Sequence, residues 1–135
     1  MVMYWLGRFW GFAALSAAVL AWVALIAGAV ASLAIAVLVL LLSVGAIGYF
    51  LFQYPVRCRA VTISGRECTD SSRGLLIGCT HYRHKWQRLN LLIRVSAWPD
   101  LRRTLWSDRP HRTGTAGALV SAFSGLAALV IILVR

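Results

Sequence analysis

From Phe9 to Val56 the chain carries no Asp, Glu, Lys, Arg or His. This run constrains the fold more than any other feature of the sequence. Its apolar part, Phe9 to Phe52, is 44 residues long. As one helix it would reach about 66 Å, roughly twice the hydrocarbon thickness of a bilayer. Two spans joined by a tight turn fit better, and the small residues of Gly28 to Ser32 are where that turn is expected. The aromatics agree. Tyr4, Trp5, Phe9, Trp10 and Phe12 bunch at the start, and Tyr49, Phe50, Phe52 and Tyr54 at the end, with only Trp22 between. A hairpin brings both bunches to one headgroup boundary, where aromatics are favoured, with Arg8 and Arg57 just beyond. The first stretch also mimics a secretory signal, with Ala29 and Ala31 at the cleavage positions. Its apolar core exceeds the usual signal length and a second span follows at once, both of which count against cleavage.

Thr115 to Val134 is a third uncharged stretch of 20 residues, closed by Arg135. Gly117, Ser121 and Gly125 recur every four positions there and predict a helix–helix contact through small residues. Ala24, Gly28 and Ser32 repeat the spacing across the expected turn. The fold class that follows is an all-α membrane protein with three transmembrane helices. An N-terminal helical hairpin occupies residues 1–55 and a C-terminal helix residues 114–135, with a small insert at 56–113.

The insert holds twelve of the fourteen Arg and Lys and all four acids, a formal charge of 12 − 4 = +8. The positive-inside tendency places such a loop, and the amino terminus with it, in the cytoplasm of a plasma-type membrane, and the carboxyl terminus outside. In a reducing compartment, three cysteines point away from disulfides and towards idle thiols or a metal site. The spacing is Cys58-x9-Cys68-x10-Cys79, followed by His81 or His84 as a fourth donor. Thr62 and Ile63 read as a strand and Ser64-Gly65 as its turn. Arg73-Gly74 reads as another bend, and a helix is expected to open after a Thr80 cap. Three thiolates and an imidazole form a set that zinc favours, and a segment this short needs such a staple to fold.

Cys58, Ala60, Thr62, Gly65, Cys68, Gly74, Cys79 and a nearby His also follow the pattern C-x-A-x-T-x-x-G-x-x-C, a Gly-containing bend, then Cys and His. In this the stretch resembles short Cys/His modules of bacterial and phage proteins. The likeness covers about 27 of the 135 residues. In those modules the last pair is C-x-x-H, whereas here Tyr82 takes that position, between His81 and His84. The resemblance implies a structural zinc knuckle and no particular activity.

Beyond the cysteines, Tyr82, Trp86, Leu89 and Ile93 share a helical face, and Pro99 is expected to end the helix. Asp100 then caps a short one running through Trp106. With Arg83, Lys85, Trp86, Arg88 and Arg94 alongside, the stretch reads as an amphipathic helix in the headgroup plane, contacting lipid or a partner. Packing against the cysteine module as a small core is the other reading. No phosphate-cradling glycine loop or nucleophile elbow is present, Glu67 is the one carboxylate near the cysteines, and the spans hold no ionisable acid or base. The expectation is therefore a protein that is not an enzyme: a small accessory or adaptor protein that docks a membrane partner or anionic lipid. A self-assembling holin-like or phage-exclusion protein is the first alternative. A membrane-tethered nucleic-acid binder is the second; positive-inside bias already accounts for the charge on which it would rest.

Overall fold

A computed structural model of the chain describes residues 2–26 and 33–134, except for the side chains of residues 2–8, Tyr82, Arg83 and Gln87. The chain is mostly helical. In order, the described elements are α1 (Val2–Ile26), α2 (Leu33–Phe52), β1 (Pro55–Arg57), β2 (Ser71–Arg73), α3 (Tyr82–Lys85), α4 (Gln87–Ile93), a 3-10 turn (Val95–Ala97), α5 (Trp98–Leu105) and α6 (Arg109–Val134). Three of them, α1, α2 and α6, are long and apolar enough to cross a membrane. The turn expected at Gly28 to Ser32 lies outside the described residues, as do the details of Arg8 and Arg135.

The chain divides into two compact units, one formed by residues up to Tyr49 and from Gly117 on, the other by Phe50–Ala116. In the first, α1 and α2 run antiparallel. Trp10 meets Tyr49 edge-on at 5.3 Å between ring centres, and Phe12 does so at 6.1 Å. A Cβ on Gly11 would lie 2.0 Å from the Tyr49 ring, so a larger residue there would hold the two helices apart. A polar node joins all three long helices. Trp22 Nε1 donates to Ser124 Oγ at 2.7 Å, and Ser43 Oγ donates to the same oxygen at 3.1 Å. Gly117, Ser121 and Gly125 are all buried. Gly125 approaches Ser43 of α2, while the Ser121 hydroxyl is satisfied within its own helix by Gly117 O at 2.7 Å. Small residues permit the approach, and hydroxyls find partners because no water competes in such packing.

The second unit begins with a ribbon that the sequence analysis had expected only at its tip. β1 and β2 pair antiparallel, Pro55 with Arg73, Val56 with Ser72 and Arg57 with Ser71. The ladder continues through Cys58 N–H to Asp70 O, 2.8 Å, and Cys68 N–H to Ala60 O, 2.9 Å, to an isolated Val61–Glu67 bridge. The tip closes with Thr62 N–H on Arg66 O, where Gly65 takes a φ of +75°. The expected turn is thus at Ser64-Gly65. The return strand leads to Gly74 at φ +85°, whose missing Cβ would lie 2.2 Å from Leu51 O. That approach lets Leu75 and Leu76 donate to the carbonyls of Phe50 and Leu51, two of the oxygens that a helix end leaves without partners.

Several expectations need correction. Thr80 is not a cap: His81 precedes α3 and makes no side-chain capping bond. The face of Tyr82, Trp86, Leu89 and Ile93 does not lie on one helix, because the helix breaks at Trp86. The Lys85 carbonyl that a continuous helix would use instead accepts Gly78 N–H at 3.1 Å. Pro99 does not end a helix but sits in the first turn of α5, where the missing N–H costs nothing; the residue at the N-cap is Ala97, not Asp100, which lies inside that first turn, and the helix ends at Leu105 rather than Trp106. The last long helix also begins earlier than Thr115. Asp108 Oδ1 accepts His111 N–H at 3.3 Å as an N-cap, and Pro110 suits the first turn. Capping thus extends α6 back into the charged segment.

Candidate metal centre

Along the ribbon, Cys58 lies opposite Asp70 and Cys68 opposite Ala60, so strand alternation sends both thiols to one face. Ala60 and Cys79 pack there with them, with Cys58 and Cys79 buried and Cys68 half-buried. Cys79 arrives from the segment after Ile77. Its N–H donates to Cys58 Sγ at 3.4 Å, and its own sulfur lies 3.9 Å from Cys68 Sγ. His84 Nδ1 approaches Cys79 Sγ to 3.4 Å. Gly78 makes this possible. A Cβ at that position would lie 2.1 Å from His84 O, so any side chain would push the α3 turn away from Cys79.

The ligand atoms of Cys58, Cys68, Cys79 and His84 all lie within 4.8 Å of one another, and no disulfide joins the cysteines. Three sulfurs and one imidazole at such spacing could hold a metal ion, and the donor set is compatible with zinc. His81, the other candidate, falls in a second group with Asp70 and Cys79. Its Nδ1 is also 3.4 Å from Cys79 Sγ, but it is exposed and lies 3.6 Å from Asp70 Oδ2. His84 therefore completes the four-donor set, and His81 stands outside it beside a carboxylate.

The two buried thiols ionise unequally. Burial opposes the Cys58 thiolate, but N–H donation from Cys79 and Ala60 outweighs it and brings the group below its ordinary value. Burial, reinforced by the neighbouring Cys58, pushes Cys79 up to about 11. Without a cation, one sulfur of this pair ionises at the expense of the other. A bound metal would remove the difference, since every coordinating thiol is deprotonated outright.

Behind the cysteines lies a residue whose role the sequence hid. Arg88, expected on the lipid or partner face, is only 3% exposed. Its guanidinium donates to Leu75 O at 3.1 Å, to Arg57 O at 2.5 Å and to Cys58 O. Its remaining neighbour is His111 Nε2 at 3.2 Å, and His111 is fully buried. Arginine can only donate, so Nε2 presents a lone pair and Nδ1 carries the proton, which it gives to Asp108 Oδ1. Burial lowers Arg88 from its ordinary value, opposed by the negative charge of Cys58 and Asp108. Burial works against the Asp108 carboxylate too, yet the His111 hydrogen bond holds it below the usual range. Arg59, with a left-handed φ of 48°, brings its side chain to 3.9 Å from both Asp108 and Glu67. Carbonyls of the Cys58 strand, guanidinium, imidazole and carboxylate thus form one polar chain, buried at Arg88 and His111 and half-buried at Asp108.

No protein-family model matches the sequence, and no curated protein or solved structure is similar enough to match it. The chemistry is therefore read from the residues themselves.

The other expected contact residues stand apart from the cluster. Lys85 and Trp86 are exposed, with the ammonium 5.5 Å from the Trp86 ring centre, and Arg94 is exposed. The Arg83 side chain lies outside the described residues. Local pattern could have found Asp108-x-x-His111, since an Asp three residues before a helix-opening His, with Pro110 between, is a cap signal. Nothing local marks Arg88 among so many arginines; only the three carbonyls that converge on it do.

Proposed function

We propose that the chain is a small integral membrane protein, an adaptor whose three apolar helices anchor a basic, zinc-stabilised knuckle at the cytoplasmic face. One observation carries the reading: Cys58, Cys68, Cys79 and His84 converge within a short loop between helices long and apolar enough to cross a membrane. Three thiolates and a zinc ion sum to a single negative charge, and the buried Arg88 supplies the matching positive one. By donating to the Arg57 and Cys58 carbonyls, Arg88 orients the strand that carries the first cysteine. The metal supplies folding energy that so short a segment lacks.

Docking is supported by what the module leaves outside. Ile93, Val95 and Trp98 are 72%, 70% and 54% exposed, and Arg94, Arg102 and Arg103 flank them. Leu92, Trp98, Pro99, Leu101 and Leu105 line an open, largely apolar groove of about 480 Å³, with Arg102 at its edge. Exposed tryptophan beside arginine suits either an anionic lipid surface or a partner membrane protein. The module sits inside by the excess of Lys and Arg over the four acids.

Two measurements test this. Elemental analysis of the purified full chain is expected to give one zinc per chain, lost in Cys68→Ser; a metal-free protein removes the knuckle. Induced expression is expected to leave membrane potential intact, whereas its collapse would favour the pore-forming alternative.

A further inference from the structure

Beside the cysteine cluster the second unit holds an open cavity of about 400 Å³ with a mixed polar and apolar lining. Arg73, Lys85, Ser71 and Thr80 line it, and Gly78 and Cys79 form part of its wall. We infer that this cavity is a binding site for a phosphoryl anion, either free phosphate or the phosphate of a lipid headgroup.

The fold gathers these groups for reasons on the page. Ser71 and Arg73 are alternate residues of β2, so they share a face, while Ser72 between them turns inward and donates to Val56 O at 3.2 Å. Gly78 N–H holds the Lys85 carbonyl at 3.1 Å, which fixes the Lys85 backbone beside the 77–80 segment. The result is an arginine, a lysine and hydroxyl-bearing residues from three segments around one space, with Ile77 on its apolar side.

Among the described residues no carboxylate lines the cavity. Asp70, adjacent to Ser71 in sequence, is engaged with His81 at 3.6 Å. Among the described residues neither Arg73 nor Lys85 forms an ion pair. Two like charges facing a shared space repel, and an anion between them turns that repulsion into attraction. Arginine offers a fork that matches two phosphate oxygens, lysine a point charge, and hydroxyls donate to the rest. The nearby thiolate cluster is offset on its own side by Arg88, whose guanidinium bonds the Cys58 carbonyl. The site rests on the module alone; only lipid as a source draws on the membrane reading.

Inorganic phosphate titrated at low salt into the full chain in neutral detergent tests the site, read by calorimetry. Saturable binding is expected, weakened roughly tenfold or more by Arg73→Gln and by Lys85→Gln, as the loss of a charge-assisted hydrogen bond predicts. Arg73→Lys is expected to recover part of the loss. Arg109→Gln, exposed and outside the cavity, is expected to bind as the parent does. Zinc content measured on each variant identifies any loss that comes from an unfolded module, and the proposal is judged on variants that keep their metal. No saturable binding, or equal loss in Arg109→Gln and Arg73→Gln, overturns it. The chain in phosphatidylcholine nanodiscs with and without phosphatidic acid separates the two sources. Competition by phosphatidic acid assigns a headgroup and its absence assigns free phosphate, and both leave the site standing.

Discussion

In the helical unit, the missing Cβ of Gly45 would meet nothing nearer than Trp10 at 3.8 Å; in the module, that of Gly78 would lie 2.1 Å from a carbonyl oxygen. Gly48 is as open as Gly45 and Gly74 as confined as Gly78, while Gly11 against Tyr49, Gly125 at 3.2 Å from Ser43 and the open Gly65 run the other way. The long helices satisfy their own backbones and pack through many small contacts, of which the Trp22–Ser43–Ser124 node is the most specific. The module has two three-residue strands and short helices, and rests on a few groups: four side chains that could hold a metal, one buried arginine and glycines at close approaches. Robustness is spread out in one region and concentrated in the other, because lipid-suited helices need only composition and length, whereas a small polar fold needs particular atoms in place.

The largest test of this contrast is removal of a ligand. Cys79→Ser, or chelation of the metal, is expected to abolish amide protection across 58–85, because structural zinc supplies on the order of 10 kcal/mol to such modules. Hydrogen exchange followed by mass spectrometry should find α1 and the middle of α2 unchanged. Equal loss in both regions would erase the distinction.

Arg88→Met comes next. It strands the carbonyls of Arg57, Cys58 and Leu75 and leaves the thiolate charge uncompensated, so about 3–5 kcal/mol of module stability is expected to go. Denaturant unfolding followed by a probe in the module would measure it. A change below about 1 kcal/mol would mean that water replaces the guanidinium.

A paired glycine test is sharper though smaller. Gly78→Ala is expected to weaken zinc affinity at least tenfold, as a misplaced ligand does. Gly45→Ala, in α2, is expected to leave stability unchanged or raise it by up to about 1 kcal/mol, since alanine is the better helix former. Competition with a chromogenic chelator reads the first and thermal unfolding in detergent the second. Smallest of all, Ser124→Ala is expected to cost about 0.6 kcal/mol of helix association, the usual worth of an interhelical hydrogen bond in lipid.

The same contrast decides what could be read from the sequence. Long apolar runs announce themselves by length, so α1, α2 and α6 were legible, as were Cys58, Cys68 and Cys79 and the turn at Gly65. The choice between His84 and His81 was not, because it depends on how closely Gly78 lets α3 approach. Arg88 was misread as a surface residue since charge and periodicity say nothing about three carbonyls supplied by residues 13 to 31 positions away. The early start of α6 was written locally in Asp108-Arg109-Pro110-His111, but the charge-free stretch after Thr115 drew the boundary instead.

X-ray absorption at the zinc edge of the purified full chain tests the central claim most directly. Three sulfur neighbours at about 2.3 Å and one nitrogen at about 2.0 Å are predicted, the nitrogen lost in His84→Ala and kept in His81→Ala. A first shell of nitrogen and oxygen alone, or a chain that binds no zinc, would contradict it.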